Sequence, residues 1–279
     1  MKLQFTKMHG AGNDFVVVDG VRAPFKPAPA LLARLTDRHR GIGCDQVLVV
    51  EPASKPDVDF DYRIYNSDGT ESGQCGNGAR CLMRFIHDHK LSAKNTLRVR
   101  TKTRVIELER LTDGNTRVNM GMPQFEPADI PLNRARREPR YTARLENAVL
   151  VVLGAASMGN PHAVLEISDL QQAPVSTLGP EIQRLDDFPQ GVNVSFMQIV
   201  DAEHIRLRVY ERGAGETLAC GSGACAAVAV GRIWGKLGAS VSVQMPGGEL
   251  KAEWAGEGQP LYLSGPAETV FQGEIECPT

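Results

Sequence analysis

The sequence predicts an α+β fold of two homologous lobes related by a pseudo-two-fold axis, each a mostly antiparallel sheet wrapped around a central helix. Three observations support this prediction. A motif of cysteine, glycine, a polar residue and glycine occurs twice, at residues 75–78 and 220–223. Each copy opens an apolar run typical of a buried helix. Around each copy lie many short strand patterns, bounded by glycine, proline, asparagine or aspartate.

The repeat extends well beyond the two cysteine motifs. Residues 12–19 match residues 159–166, and residues 63–66 match residues 208–211. The period of about 145 residues is the size of a domain and far too long for a solenoid repeat. The sequence therefore indicates two related domains that each contain one copy of the motif.

We expect the lobe boundaries to follow this repeat. The N-terminal lobe is expected to comprise residues 1–119 plus 266–279 and to carry Cys75. The C-terminal lobe is expected to comprise residues 120–265 and to carry Cys220.

Strands and helices are predicted in the same succession in both lobes. Strands are expected at residues 15–19, 46–51, 59–65, 97–101, 105–110 and 117–120, and again at 149–154, 163–167, 195–200, 204–210, 241–245 and 250–254. Helices are expected at residues 30–39, 76–88 and 221–237, with a short one near 180–184. Cys81 and Cys225 lie inside two of these helices and are expected to be core residues.

Composition and charge exclude several classes of partner. The 279 residues are 42% hydrophobic and 23% charged with a net charge of -2, which is typical of a soluble globular protein. No basic run is interleaved with aromatic residues, as a nucleic-acid surface requires. No apolar run approaches the roughly 18 residues of a membrane span, and the N-terminus has no signal-peptide core. We therefore expect a cytoplasmic protein without nucleic-acid or membrane partners.

The cysteine pattern indicates free thiols and no structural metal. Six cysteines in a cytoplasmic chain of this size are expected to be unpaired. Cys75 and Cys81 are six residues apart and Cys220 and Cys225 are five apart, so neither pair has the C-x-x-C spacing of a zinc site. The chain also lacks a phosphate-binding P-loop, and no lysine recurs in a glycine-rich context as a Schiff-base candidate. The sequence thus predicts neither a metal nor a cofactor.

The position of each motif predicts the chemistry of Cys75 and Cys220. A thiol at the first turn of a helix lies close to unpaired backbone N–H groups and the positive end of the helix dipole. Its pKa is therefore expected to fall below the usual value of about 8.5. The neighbouring glycines allow a carboxylate to approach the same N–H groups. Each motif thus supplies an acid/base group and an anion site.

Two such motifs related by a two-fold axis favour one reaction class. Thiols on opposite sides of a shared ligand can remove a proton from one face of a carbon and return one to the other face. One thiol must then be ionised and its partner neutral, which mutual repulsion enforces. The helix N-termini would stabilise the charge that develops on a carboxylate of the ligand. We therefore predict inversion at an acidic carbon.

The lobes differ at positions that suit an asymmetric ligand. Glu211 and His162 stand where the first copy has Asn66 and Phe15, and Arg212 adds a guanidinium. Glu211 and Arg212 could hold an ammonium group and a second carboxylate. Each residue alone also fits a structural role, as a surface ion pair or a loop histidine. Gly12-Asn13 and Gly159-Asn160 recur at matched positions in both lobes, and this recurrence favours a site over separate structural roles.

At this point the residues resemble the diaminopimelate epimerase family over essentially the whole chain. The resemblance lies in residues 7–10 (KMHG), 12–15 (GNDF), 45–46 (DQ), 74–80 (QCGNGAR), 158–162 (MGNPH), 210–217 (YERGAGET) and 219–224 (ACGSGA). It implies a cofactor-independent epimerase that interconverts LL- and meso-diaminopimelate for lysine and peptidoglycan synthesis. It also implies an active site in the cleft between two similar lobes, and a homodimer in which the C-terminal strand around Phe271 returns to the first lobe.

The resemblance also assigns roles to individual residues. It implies that Cys75 and Cys220 are the catalytic acid/base pair and that His162 and Glu211 tune their ionisation. It further implies a substrate-binding set of Asn13, Gln46, Asn66, Gly76, Asn77, Asn160, Asn193, Glu211, Arg212, Gly221 and Ser222. Cys44 departs from the family pattern by adding a thiol near this site.

Two alternatives remain open from the residues. A proline or hydroxyproline racemase-like enzyme shares the two-thiol layout, although an imino acid with one carboxylate has little use for Arg212. A redox sensor in which Cys75 and Cys220 form a reversible disulfide would turn over no substrate.

Overall fold

Strands dominate the computed structural model, which describes residues 2–73 and 75–276. The elements of the first half are β1 Lys2–Gly10, β2 Asn13–Asp19, α1 Pro29–Thr36, β3 Gln46–Pro52, β4 Phe60–Asn66, α2 Gly76–Asp88, β5 Thr96–Arg100, β6 Val105–Arg110 and β7 Thr116–Gly121. Those of the second half are β8 Tyr141–Arg144, β9 Leu150–Ser157, β10 Pro161–Glu166, α3 Val175–Gln183, β11 Asn193–Ile199, β12 His204–Glu211, β13 Gly215–Thr217, α4 Gly221–Ile233, β14 Ser240–Met245, β15 Gly248–Trp254, β16 Leu261–Gly265 and β17 Glu268–Glu276.

The chain divides into two compact units. Unit 1 comprises Met1–Asn119 and Ser264–Thr279, and unit 2 comprises Met120–Leu263. In both units a mainly antiparallel sheet packs against a few helices, so the predicted α+β class is confirmed.

The sheet of unit 1 runs in the order β17, β1, β2, β3, β4, β5, β6 and β7. Two of its strand pairs are parallel, β2 with β3 and β4 with β5, and the other pairs are antiparallel. Parallel neighbours need a crossover connection, and here α1 and α2 provide it. The crossover from β4 to β5 is therefore formed by α2, and Cys75 lies at the start of this crossover helix.

The central strands of unit 1 are buried on both faces. The side chains of Val16 and Val47 pack in one apolar cluster with Leu32 of α1. Leu48 points to the opposite face, where it lies beneath Gly78 of α2. Because both faces are covered, β2 and β3 contain runs of buried apolar residues rather than alternation.

Unit 2 repeats this succession of elements. Its sheet runs in the order β8, β9, β10, β11, β12, β14 and β15, and the short β13 also pairs with β12. The parallel pairs are β10 with β11 and β12 with β14, and α3 and α4 form the two crossovers.

The helix α4 is buried on all sides, as its composition predicts. Each residue from Ala224 to Val230 is at most 2% exposed. The helix approaches β9 so closely that a Cβ at Gly154 would lie 2.4 Å from Val230 Cγ1. Cys81 and Cys225 are both fully buried, which confirms that they are core residues.

Three helix boundaries differ from the sequence prediction. Helix α1 ends at Thr36, before the predicted end at residue 39, because the Asp37 carboxylate accepts the next two free N–H groups and forms a turn. Helix α4 ends at Ile233 rather than at residue 237, since Gly235 adopts a φ of 70° and closes a Schellman motif. Helix α3 begins at Val175, so Pro180 lies inside the helix rather than at its start.

Several strands are absent from the sequence prediction. The strands β1, β8, β13 and β16 are short or interrupted by polar residues, and pairing with neighbours rather than their own pattern defines them. The C-terminal strand β17 pairs antiparallel with β1 and so lies in unit 1.

Candidate active site

The predicted site residues of unit 1 lie at one edge of its sheet. Asn13 and Gln46 begin the parallel strands β2 and β3, and Asn66 ends the antiparallel strand β4. Gln46 is paired with Asn66 across the strands, and Phe15 is paired with Gln46. The starts of two parallel strands and the end of an antiparallel one meet at the same edge, so these polar residues are brought together by topology.

Cys75 is the N-cap residue of α2. Its Sγ accepts a hydrogen bond from the backbone N–H of Gly78 at 3.4 Å. The thiol also contacts Asn13 Oδ1 at 3.7 Å, where it is the donor. Gly76 and Asn77 follow in the first turn, where backbone N–H groups have no partner within the helix. Cys75 is thus a half-buried thiol set among helix N–H groups.

The amides of unit 1 form a connected chain. Gln46 Nε2 donates to Asn66 Oδ1 at 2.8 Å, and Asn66 Nδ2 donates to Thr70 Oγ1 at 3.0 Å. The Thr70 hydroxyl donates in turn to the Asp68 carboxylate at 2.6 Å. Since a carboxylate only accepts, this chain runs in one direction and leaves the Gln46 side-chain oxygen facing away from Asn66.

Tyr62 lies beneath the first turn of α2. Its side chain is 1% exposed, and a Cβ at Gly78 would lie 2.2 Å from its hydroxyl oxygen. Burial, together with the nearby sulfurs of Cys75 and Cys81, raises the pKa of Tyr62 well above its usual value. Glycine is therefore required at position 78, and the phenol beneath it stays neutral.

The predicted residues of unit 2 occupy the corresponding sheet edge. Asn160 directly precedes β10, Asn193 begins β11 and Glu211 ends β12. His162 is paired with Asn193 across the parallel strands, as Phe15 is with Gln46 in unit 1. Cys220, Gly221 and Ser222 begin α4 as Cys75, Gly76 and Asn77 begin α2.

The surroundings of Cys220 differ from the sequence expectation. The residue is only 4% exposed, and its Sγ makes no capping bond but contacts Ser222 Oγ at 3.6 Å. Burial raises the pKa of Cys220 well above its usual range, and the nearby Glu211 carboxylate raises it further. The expectation of a lowered pKa is therefore wrong for Cys220, because desolvation and a like charge outweigh the helix N-terminus. Cys220 is a neutral thiol in this structure.

Glu211 and Arg212 are held by neighbouring groups of unit 2. The hydroxyl of Thr217, on the paired strand β13, donates to Glu211 Oε1. The Arg212 backbone N–H donates to Asn193 Oδ1 at 2.9 Å, and Asn193 Nδ2 donates to the Pro161 carbonyl at 3.0 Å. The backbone therefore fixes both ends of the Asn193 amide. The Arg212 guanidinium donates to the Gln190 carbonyl at 2.8 Å.

His162 is a buried, neutral imidazole. It has no exposed surface, and burial, with a smaller effect of Arg212, lowers its pKa to about 3. His162 Nε2 contacts Asn160 Oδ1 at 3.0 Å, and Asn160 Nδ2 reaches Ser222 Oγ at 3.4 Å. A chain of polar contacts therefore links His162 through Asn160 and Ser222 to the sulfur of Cys220.

In unit 1 the side chains of Asn13 and Asn77 contact each other beside the sulfur of Cys75, and in unit 2 polar contacts join His162, Asn160 and Ser222 to the sulfur of Cys220. Gln46, Asn66, Asn193 and Arg212 lie at the same ends of the two sheets, but their hydrogen bonds go to groups outside α2 and α4.

Three side chains that support the predicted site residues were given no role in the sequence prediction. They are Asp45, which binds Asn13, Tyr62, which lies beneath Gly78, and Thr217, which binds Glu211. Asp45 and Thr217 lie inside recognisable motifs, so a search for partners near each amide and carboxylate could have found them. Tyr62 is hidden from the repeat, because Leu207 occupies the matched position in β12.

Among residues 2–73 and 75–276, no three histidine, cysteine, aspartate or glutamate side chains cluster as ligands for a metal ion. None of the helices in the same part of the chain has the length and apolarity that a membrane span needs.

Comparison with known proteins covers both units. The profile of a family described as diaminopimelate epimerase matches residues 5–126 and 154–270. Diaminopimelate epimerases from Nitrosospira multiformis and Ectopseudomonas mendocina are each 52% identical to this chain, over 276 and 275 residues. Each match covers 99% of this chain and 99% of the relative.

A solved structure shows the same fold at low identity. The hydroxyproline epimerase from Agrobacterium vitis, with bound trans-4-OH-L-proline, has a TM-score of 0.73 at 16% identity. The match covers 98% of this chain and 92% of that chain. At this identity the likeness concerns the fold alone.

Replacing His162 by phenylalanine, the residue at the matched Phe15 position, is expected to weaken the acid sensitivity of folding. The unfolded chain takes up this proton near pH 6.5 but the folded protein only near pH 3. Stability from the neutral imidazole is thus complete above pH 6.5 and is lost as pH falls toward 3. Between pH 7 and 4.5 the wild type should lose about 2–3 kcal/mol through this group, measured by urea unfolding at both pH values.

The control for this experiment is His39→Gln on the exposed surface, which should keep the wild-type pH dependence. A His162→Phe variant that loses stability as steeply as the wild type between the two pH values would contradict a neutral, buried His162.

Replacing Glu211 by glutamine is expected to lower the pKa of Cys220, because a like charge next to the thiol is removed while its burial remains. The measurement is alkylation of Cys220 by iodoacetamide as a function of pH, followed by peptide mass mapping. Its midpoint should move to lower pH. Glu203→Gln, an exposed substitution in the same unit, should leave the midpoint in place. An unchanged midpoint in the Glu211→Gln variant would show that the carboxylate does not act on this sulfur.

Proposed function

The chain belongs to the diaminopimelate epimerase family, and from this premise we propose that it interconverts LL- and meso-diaminopimelate. The observation that carries the proposal is 52% identity to two diaminopimelate epimerases over 99% of the chain. Its activity is that of an isomerase. The two cysteine-led helix N-termini support the proposal, because inversion at an α-carbon needs one group to remove a proton and another to supply one.

Cys75 and Cys220 are the proposed acid/base pair. In one direction a thiolate takes the α-proton, so the C–H bond breaks and an S–H bond forms. The partner thiol then gives its proton to the opposite face of the same carbon and becomes a thiolate. One proton is taken and one is returned, so no further reactant is required. The neutral state of Cys220, caused by its burial and by Glu211, suits the thiol that supplies the proton.

The carbanion formed between these steps needs stabilisation at the adjacent carboxylate. We assign this task to the backbone N–H groups of Gly76 and Asn77 and of Gly221 and Ser222, which lie in the first turns of α2 and α4. Oriented N–H groups at a helix N-terminus stabilise negative charge that develops in a transition state.

The remaining polar residues are proposed to hold the substrate's amino groups and its distal carboxylate. They are Asn13, Gln46, Asn66, Asn160, Asn193, Glu211 and Arg212. A guanidinium binds a carboxylate in bidentate fashion, so Arg212 suits the distal carboxylate. His162 and Glu211 are proposed to tune the ionisation of the thiols, and the contacts that link both residues to Cys220 support this role.

The test is proton exchange in heavy water. The protein is incubated with meso-diaminopimelate in D2O, and deuterium is expected at one α-carbon together with inversion. Cys75→Ser and Cys220→Ser should each reduce the rate of inversion by at least about a hundredfold, since each removes one acid/base group. Cys81→Ala and Cys225→Ala, which alter buried thiols in the same helices, are the matched controls and should stay active.

Each alternative has its own outcome in this experiment. Label in proline or hydroxyproline instead of diaminopimelate would favour the racemase-like enzyme. No label in any of these substrates, with a reversible disulfide between Cys75 and Cys220, would favour the redox sensor. Inversion at the wild-type rate by either serine variant would contradict the two-thiol mechanism.

We further propose that the enzyme is a homodimer that acts in the cytoplasm. Family resemblance supports the dimer, and the exposed apolar side chains of Val270 and Phe271 on β17 offer surface that an interface could cover. Five cysteines among the described residues form no disulfide, which is typical of a reducing compartment. Sedimentation velocity should give twice the mass of one chain, and a mass equal to one chain at micromolar concentration would refute the dimer.

A further inference from the structure

A carboxylate determines which way the Asn13 side chain faces. Asn13 Nδ2 donates to Asp45 Oδ2 at 2.7 Å. An ionised carboxylate accepts hydrogen bonds and cannot donate them, so the nitrogen of the amide must face Asp45. The oxygen of the amide must then face the other way. This orientation follows from the chemistry of the partner, whereas most asparagine side chains leave it open.

The oxygen of Asn13 faces the N-terminus of α2. Asn13 Oδ1 accepts a hydrogen bond from Asn77 Nδ2 at 3.2 Å and lies 3.7 Å from the sulfur of Cys75. Asp45 therefore causes an acceptor, and not a donor, to be presented beside the proposed catalytic thiol.

Two donors besides Asn13 hold the Asp45 carboxylate in place. Arg38 donates to Asp45 Oδ1 at 2.7 Å, and the backbone N–H of Asp14 donates to Asp45 Oδ2 at 3.1 Å. Arg38 also donates to both oxygens of the Asp14 carboxylate, at 2.8 and 2.9 Å. Burial acts to raise the pKa of Asp14, but the hydrogen bonds from Arg38 and Lys7 outweigh it and hold this pKa well below its usual range. The Asp14 carboxylate, which shares Arg38 with Asp45, is therefore ionised at neutral pH.

The matched amide in unit 2 has no such carboxylate. Val192 stands at the position that matches Asp45, and it is fully buried. Asn160 instead contacts His162 and Ser222, and each of these can donate or accept a hydrogen bond. Its nitrogen, not its oxygen, faces Ser222 at the start of α4. Control of the amide direction by a carboxylate is thus a property of unit 1.

We propose that Asp45 is a positioning residue that keeps the Asn13 oxygen turned toward the substrate, where it accepts a hydrogen bond from an ammonium group. An ammonium group only donates, so a reversed amide would place donor against donor. This inference rests on the proposed function, because it takes its ligand from diaminopimelate. It adds a residue that does not touch the substrate but determines which atom of Asn13 does.

The test is a double-mutant cycle between Asp45→Asn and Asn13→Ala, with deuterium exchange of diaminopimelate as the assay. Asparagine at position 45 has nearly the same shape but can donate as well as accept, so the Asn13 amide can reverse. We expect Asp45→Asn to raise KM about tenfold, the loss of one hydrogen bond to a charged group, and to change kcat less than twofold. A contact made equally in ground and transition states affects KM alone.

In the Asn13→Ala background, adding Asp45→Asn should change kcat/KM less than twofold, because the amide through which Asp45 acts is gone. The control Asp113→Asn, in an exposed turn of the same unit, should leave both kinetic constants unchanged. An unchanged KM in Asp45→Asn, or an equally large effect of this substitution in both backgrounds, would overturn the proposal.

Circular dichroism and thermal melting establish that each variant is folded. If Asp45→Asn does not fold, Arg38→Gln replaces it in the same cycle. This substitution removes the clamp on Asp45 and should raise KM about threefold, again only when Asn13 is present. A wild-type protein that incorporates no deuterium overturns the proposed function itself, which distinguishes that outcome from failure of the positioning role alone.

Discussion

The site in each unit depends on the interaction between a cysteine and the backbone N–H groups at the N-terminus of a largely buried helix. The first turns of α2 and α4 carry backbone N–H groups that the helix itself cannot satisfy. Because most residues of α2 and α4 are packed against other groups, these helices cannot rotate, and the direction of the N–H groups is constant. The cysteine that precedes each helix lies directly in their field, and the strand ends beside it supply the amides and carboxylates.

The same backbone supports two different electrostatic environments. In unit 1 the sulfur of Cys75 accepts an N–H group and is half-buried. In unit 2 the sulfur of Cys220 is almost fully buried beside Glu211 and remains a neutral thiol. Repetition of the fold thus provides two thiols, and substitution of a few neighbours makes them unlike. An acid/base pair needs such a difference, because one member must hold a proton while the other does not.

Much of the fold follows from local pattern. The helix over Gly76–Asp88 and the strand over Val105–Arg110 agree residue for residue with the sequence prediction. The helix starts directly after its N-cap residue Cys75, and the strand alternates exposed and buried side chains from Val105 to Leu108. Elements that lack such signals are defined by their neighbours. The strand β1 has a mixed pattern and forms because β2 and β17 both pair with it. Helix α3 continues on the N-terminal side of Pro180, and its N-cap residue, Pro174, makes no side-chain capping bond.

The sequence by itself determined the repeat, the two cysteines at helix starts and the membership of the family, since these depend on residue identity and spacing. The tertiary structure alone decided the ionisation of Cys220 and His162, the phenol of Tyr62 beneath Gly78, and the direction of the Asn13 amide. The physical reason is that desolvation and hydrogen-bond direction depend on groups from distant parts of the chain. Asp45 lies 32 residues from Asn13, and no local pattern reveals that its carboxylate turns that side chain.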